Sequence, residues 1–287
     1  MTERKGSLWS IAIYTGPTPL DLSPAPGVSA PVLTADDVHD ISAAFVADPF
    51  MVLEEGCWYL FCEAKNQATR MGEIGAAISR DGFSWRYLGT VLRAPFHLSY
   101  PQVFRWEGEY YMVPETLAPG AVTLYRANRF PFEWQRVASL VEGVLADPTL
   151  FRFDGLWWMF ACPTPHRHDS LCLFHSEKLT AGWRPHPMNP LLSVSPSSAR
   201  PGGRVVEWDG RMIRLAQDCV PVYGSGLRAF EIDRLDPDGY SETEARQSPI
   251  LQPDAAWNAS GMHHADPHCN VDGTWRACVD GYVYIDP

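Results

Sequence analysis

The chain has 287 residues, 46% of them apolar, with 11 Trp, 11 Tyr and 13 Phe; at this length an all-β barrel or propeller is still one domain, and the aromatic content suits strands and sugar-stacking surfaces. A formal net charge of −11 and a pI near 5.2 exclude the clustered Lys and Arg that a nucleic-acid backbone or an anionic membrane demands. No run of 18 apolar residues suggests a membrane span, and seven cysteines without a Cys-x-x-Cys pair read as free thiols in a reducing compartment, the cytoplasm.

In chain order, the apolar run Leu8 to Tyr14 is short, carries Ser10 and meets Pro17 and Pro19 without a small-residue cleavage site, so it reads as a strand rather than a signal peptide. Residues 17–44, rich in Pro, Ala and Asp, read as a crossing. From there a fivefold pattern begins, opened by Asp48-Pro49, Tyr100-Pro101, Asp147-Pro148, Arg200-Pro201 and Asp266-Pro267. Successive prolines stand 52, 47, 53 and 66 residues apart. Each is followed after 7, 7, 7, 9 and 6 residues by a turn glycine (56, 108, 155, 210, 273) and a second apolar run such as CWYLFCE or LWWMFAC.

Each unit is therefore a hairpin whose first strand opens on Pro, where a missing N–H does little harm. Two further strand-like runs usually follow: GEIGAAISRDG and SWRYLGTVL, then AVTLYRAN and EWQRVASL, then SLCLFHSE and GWRPHP. Four short strands per ~50 residues is a propeller blade; the runs lack the 3.6-residue period of a helical repeat. The expectation is an all-β, five-bladed β-propeller with four-stranded blades in a single domain, 1–287. Blades open near 48, 100, 147, 200 and 266. The last hairpin ends near Asp280 with too little chain for an outer pair, so residues 8–16 should complete blade five and close the ring.

The start of a blade's first strand and the end of its antiparallel second strand share one face. This rule places Asp48, Tyr100, Gln102, Asp147, Arg200, His263, His264 and Asp266, with Glu63, Glu115, Gln217, Asp218 and Asp280, around one channel mouth. Crowded carboxylates in a cleft are costly to assemble and raise one another's pKa. The plain alternative, Asp-Pro as a common turn opener whose carboxylate caps backbone N–H groups, explains one such residue better than a converging set.

The stretches IAIYTGPTPLDL, FVADPFMV, GEIGAAISRDG, PFHLSYPQVFRWEGEYYMVPE, ARPGGRVV, AQDCVPVYG and GMHHADPH span nearly the whole chain. Through them the sequence resembles the five-bladed glycosidases of glycoside hydrolase family 43, and more closely the propeller-like N-terminal domain of plant glucosamine inositolphosphorylceramide transferases and its bacterial counterparts. The family-43 resemblance implies Asp48 as general base and Asp147 as the pKa-adjusting, orienting residue. It also implies a Glu opening blade four as general acid, where this chain has Arg200. Glu115 is then the first choice of acid and Glu63 the second, and Arg200 is a planar fork for a diol, phosphate or carboxylate, so that the substrate could be acidic.

Glu63, Tyr100, Gln102, Arg200, Gln217, Asp218, His263, His264 and Asp266 complete the expected substrate-binding set. No protein metal site or cofactor is expected beyond a channel cation near His264, with His264, Asp266 and His268 sharing one side of a strand. His166 and His168 read as an exposed rim loop. The functional expectation is a glycoside hydrolase or glycosyl-transferring enzyme of inverting type. Its rival is a non-catalytic carbohydrate-binding propeller serving a separate glycosyltransferase, since in the related plant proteins the propeller is joined to a transferase domain.

Overall fold

The computed structural model describes residues 6–285. Its twenty strands form five antiparallel four-stranded sheets arranged as a five-bladed propeller. The chain starts with β1 (Gly6–Thr18) and β2 (Asp21–Pro24). Blade one is β3 (Ala43–Glu54), β4 (Cys57–Asn66), β5 (Gly72–Ser79) and β6 (Arg86–Leu92). Blade two is β7 (Ser99–Trp106), β8 (Glu109–Glu115), β9 (Ala121–Arg129) and β10 (Glu133–Glu142); blade three is β11 (Ala146–Phe153), β12 (Leu156–Cys162), β13 (Cys172–Ser176) and β14 (Arg184–Pro185). Blade four is β15 (Val206–Trp208), β16 (Arg211–Asp218), β17 (Gly226–Asp236) and β18 (Gly239–Glu244). Blade five takes β19 (Ala265–Cys269) and β20 (Trp275–Ile285) from the end of the chain and β1 and β2 from its start. The closure expected for residues 8–16 is thus present, in register from Leu8↔Val283 to Gly16↔Trp275. Within the stretch expected as a crossing, Asp21–Pro24 is the outermost strand of that blade.

The doubly apolar second strands follow from the architecture. In β4, Trp58, Leu60 and Cys62 pack toward blade five while Tyr59 and Phe61 pack toward blade two; in β12, Trp157 and Met159 face blade two while Trp158 and Phe160 face blade four. A strand buried on both sides reads as a continuous apolar run. Five such layers, one between each pair of neighbouring blades, make up the main core. All seven cysteines are free thiols, and no helix among the described residues is long and apolar enough to cross a membrane.

The X-Pro openings do more than start strands. In blades one to three each is a β-bulge: Asp48-Pro49 opposes Cys62, Tyr100-Pro101 opposes Pro114, and Asp147-Pro148 opposes Ala161. The first residue of each bulge is left-handed, with φ of 54° at Asp48, 48° at Tyr100 and 49° at Asp147. Such a conformation in a non-glycine residue costs about 1–3 kcal/mol and persists only where its surroundings hold it. The bulge lifts each residue's N–H out of the ladder, and each finds a carboxylate instead. Asp48 donates to Asp280 Oδ2 (2.9 Å), Tyr100 to Asp48 Oδ2 (3.3 Å) and Asp147 to Glu115 Oε2 (3.1 Å).

Blades four and five depart from this pattern. The first strand expected over ARPGGRVV shrinks to Val206–Trp208, because Gly203 turns aside to bridge Ala265 of blade five in parallel. A Cβ on Gly203 would lie 1.8 Å from the Ala265 carbonyl oxygen, so the position admits only glycine. In blade five Asp266 pairs regularly with Cys278, without a bulge.

Candidate active site

Eight of the residues expected at the mouth come together there: Asp48, Glu63, Glu115, Asp147, Arg200, Gln217, His263 and Asp280. All are buried. Asp280 ends the blade-five second strand and accepts from the His263 backbone N–H (3.3 Å) and Nδ1 (2.8 Å) as well as from Asp48. The opposite ring nitrogen of His263, Nε2, lies 3.7 Å from Asp48 Oδ1, and Trp9 stacks on the ring at 4.2 Å between centroids. Burial opposes a charge on His263, yet Asp280 and then Asp48 hold its pKa above the usual histidine value. Asp280, although burial works against its ionisation, is held below the usual carboxylate range by His263. Burial drives Asp48 well above that range; His263 pulls it back, while Asp280, Asp147 and Glu63 push it further up.

Glu115 and Asp147 share Arg200. The guanidinium Nε donates to Asp147 Oδ2 (2.5 Å), and Nη2 reaches Asp147 Oδ1 and Glu115 Oε2 (both 3.3 Å). Nη1 donates to the Pro165 carbonyl (3.0 Å) and meets His168 Nδ1 (2.8 Å). All five N–H donors are therefore used within the protein. The fork expected to receive a substrate anion is instead a brace between Asp147, Glu115 and the Pro165–His168 loop. Gln217 completes this corner, donating to Asp147 Oδ2 (2.7 Å) and the Pro201 carbonyl (2.8 Å). Burial, then Asp147, push the Glu115 carboxyl up to about 8 against the pull of Arg200.

Glu63 is different. It opposes Ala47 at the mouth end of β4 and, among the described residues, accepts no hydrogen bond; the nearest nitrogens to its Oε1 are His97 Nε2 at 3.5 Å and the Lys65 ammonium at 4.0 Å. Burial pushes it up to about 8, with Lys65 pulling down and Glu115 pushing up. His97 Nδ1 accepts the Gly72 N–H (2.7 Å), which leaves its proton on the nitrogen facing Glu63.

Four expected binding residues have other work. Tyr100 crosses the channel and seals it: its hydroxyl meets Thr149 Oγ1 (2.7 Å) and accepts from Gly203 N–H (2.8 Å), its ring set edge-on to Phe50 and His264. Gln102 stitches blade two to blade three through the Leu150 carbonyl (2.8 Å) and N–H (2.6 Å). Asp218 turns away to Arg228 (2.8 Å) and caps the Val220 N–H (3.0 Å). Asp266, unbulged, drops deeper into the channel. There it accepts from Met51 N–H (2.6 Å), Arg204 Nε (2.6 Å) and His268 (2.8 Å); burial pushes its pKa up, but Arg204 and His268 together hold it well below the usual range.

His264 lies in the sealed channel, its Nε2 2.9 Å from the Pro49 carbonyl, and burial lowers its pKa to about 4. It is not part of any cation-holding cluster among the described residues. The one group of ligand-type atoms within 4.8 Å of each other is Asp48, His263 and Asp280. Both Asp280 oxygens there already serve N–H donors, so the set does not fit an ion well.

Sequence reasoning missed Lys65, His97, Arg204, Trp9 and Tyr223. Lys65 could have been found, since it lies two residues beyond Glu63 on the same strand face. His97 and Tyr223 sit in connections, where spacing carries no signal. His168 was placed at the rim but not against Arg200. A cleft of about 720 Å³ bounded by Thr15, Phe83, Asn270 and Arg276 opens at the β19–β20 turn, the end of that hairpin away from Asp266 and Asp280, and gathers no titratable cluster.

In fold, the chain is similar to a family 117 glycoside hydrolase of Zobellia galactanivorans (TM-score 0.58, 13% identity, 96% of this chain and 90% of that one). It is likewise similar to the catalytic domain of the Coprinopsis cinerea GH62 alpha-L-arabinofuranosidase (TM-score 0.60, 13% identity, 96% and 97%). In sequence, it is 35% identical over 295 residues to glucosamine inositolphosphorylceramide transferase 1 of Oryza sativa subsp. japonica, covering 95% of this chain and 40% of that one. The Arabidopsis thaliana protein of the same name is 33% identical over 301 residues, covering 97% and 39%. The chain thus spans about two fifths of the length of these curated relatives. Residues 1–282 match the family model described as glucosamine inositolphosphorylceramide transferase 1, N-terminal, and the chain belongs to that family.

Proposed function

We propose that the channel mouth is an acid–base site acting on glycans, with Asp48 as general base and Glu63 as general acid. Family membership and the five-bladed fold support a carbohydrate-related role. The observation that carries the finer reading is Glu63. Asp48, Asp280 and Glu115 hold the bulges through their N–H groups, and Asp147 is tied to Arg200 and Gln217. Glu63 is buried and, among the described residues, accepts no hydrogen bond, which is the mark of a side chain kept for chemistry. A carboxyl that keeps its proton up to about pH 8 suits a donor to an alkoxide leaving group. Glu115, the first choice from sequence, is less suited because both its oxygens already hold donors.

In an inverting displacement Asp48 takes a proton from water, or from an acceptor hydroxyl, as that oxygen attacks the anomeric carbon. Glu63 gives its proton to the departing oxygen. The His263–Asp280 pair counters the charge on Asp48. The test is turnover across a panel of glycans by the wild type, Asp48→Asn and Glu63→Gln, each variant losing about 10²-fold or more. Rates unchanged in Asp48→Asn overturn the base assignment.

A second reading, glycan capture without turnover, is favoured by Arg200, which stands at the blade-four opening and locks Asp147 to Glu115. Wild-type binding without turnover of any glycan supports it. Because the curated relatives named as transferases are longer than this chain, we propose that either role is exercised alongside a glycosyltransferase.

A further inference from the structure

Blade five stands taller than its neighbours at the mouth. The second strands of blades two, three and four stop at Glu115, Cys162 and Asp218, and that of blade one ends at Asn66, a short way past Glu63. In contrast, β20 runs past Asp280 to Ile285 and stays paired with β1, from Ser10↔Gly281 to Gly6↔Ile285. At about 3.3 Å per residue this ribbon rises roughly 17 Å beyond Asp280.

Strand alternation puts Trp9, Tyr282 and Tyr284 on one face and Leu8, Val283 and Ile285 on the other. The first face looks onto the site. Trp9 is in contact with His263 on one side and Tyr282 on the other, with centroids at 4.2 and 4.3 Å. The Tyr282 hydroxyl donates to the Tyr223 carbonyl (3.3 Å) and lies 3.4 Å from the Tyr284 hydroxyl. Tyr223, on the turn between β16 and β17, has its ring 5.1 Å from the Arg200 guanidinium and stands edge-on to His263. Trp9 and Tyr282 are buried, but Tyr223 is 36% and Tyr284 44% exposed, so an aromatic row begins against the carboxyl cluster and ends in solvent.

We propose that Tyr223 and Tyr284 bind successive units of an extended glycan, so that the site takes an oligosaccharide rather than a single sugar. The placement of the reacting unit at Asp48 and Glu63 rests on the acid–base reading above; the stacking itself does not. Rings with an apolar face and a hydroxyl at the edge match a sugar's C–H face and its rim of hydroxyls. An acyl chain would prefer the opposite face of the ribbon, where Leu8 and Ile285 are exposed without a polar neighbour on the paired strand.

The experiment is calorimetric titration of the full chain with xylose-, arabinose- and N-acetylglucosamine-based oligosaccharides of one to six units, and with octyl glucoside. Affinity is expected to rise by about tenfold or more from one unit to four in at least one series. Tyr284→Ala should abolish that gain while leaving single-unit binding intact; its side chain is exposed, so the variant folds. Affinity independent of length, a gain unchanged in Tyr284→Ala, a gain from the octyl tail instead of added sugars, or no binding in any series overturns the proposal. If Asp48→Asn leaves turnover untouched while Tyr284→Ala still abolishes the gain, the acid–base reading falls and the stacking site stands.

Discussion

Replacing Glu63 by Gln should make the protein more stable, and increasingly so as pH rises. The folded carboxyl keeps its proton up to about pH 8, against an ordinary 4.5. Over that window the native state binds more protons than the unfolded chain, so wild-type stability falls as pH rises through it. Below 4.5 the group costs nothing. Above about 8 the full penalty is present, and at 1.36 kcal/mol per pH unit of displacement its ceiling is about 5 kcal/mol. Local relaxation and entry of water reduce this to about 1–3 kcal/mol. The charged and titratable groups facing Glu63 are Lys65, His97, Asp48, Glu115, His263 and Asp280. What Gln forfeits is small, because Lys65 and His97 are partly exposed and stand at 4.0 and 3.5 Å, a contact of about 1 kcal/mol at most. Urea unfolding at pH 5, 7 and 8.5 measures the difference. Near-equality at pH 5 opening to a clear gain for Gln at pH 8.5 supports the reasoning. Loss of stability at pH 8.5, or a difference flat with pH, shows that Glu63 is held by bonds that serve the fold.

Arg200→Met should destabilise by about 3–5 kcal/mol at pH 7, because it strands the buried Asp147 side chain without its guanidinium partner and cuts the tie to Glu115; chemical denaturation checks this, and a loss below about 1 kcal/mol refutes it. Gly203→Ala should fail to fold or should lose the bridge to Ala265, seen as collapse of the thermal transition, whereas Gly155→Ala, at a turn with open space around it, should cost only about 1 kcal/mol or slightly more for its left-handed φ of 77°. Turnover of a glycan with a poor leaving group should fall above pH about 8 as Glu63 loses its proton, and an activated aryl glycoside, which needs no acid, should lack that limb. All seven cysteines should titrate as thiols under denaturing, non-reducing conditions, and recovery of three or fewer refutes the assignment.

The ring was legible because Pro-to-turn spacing recurs in every blade and because strands buried on both faces write themselves as unbroken apolar runs. Closure by the N-terminal strand followed from counting strands after Asp280. The site was legible only in part, for a physical reason: period two says which face a residue takes but not how deep it sits. Asp48 and Asp147 reach the mouth because a bulge lifts them there, while Asp266, with the same Asp-Pro dipeptide and no bulge, falls to Arg204 inside the channel. Tyr100 shares the bulge, but its long side chain turns inward and plugs the channel. Arg200 read as a free fork because a sequence shows a donor and not the carbonyl of Pro165 or the ring of His168 that consumes it.

The most direct test of the acid–base account is a crystal structure of Asp48→Asn with a bound glycan that the wild type turns over. The account predicts the scissile oxygen within about 3.2 Å of a Glu63 carboxyl oxygen, with a water on the opposite face of the sugar held by residue 48 and the two side-chain termini about 6.5–9.5 Å apart. A glycan bound away from Glu63, or with its scissile oxygen against Glu115 and Arg200, contradicts it.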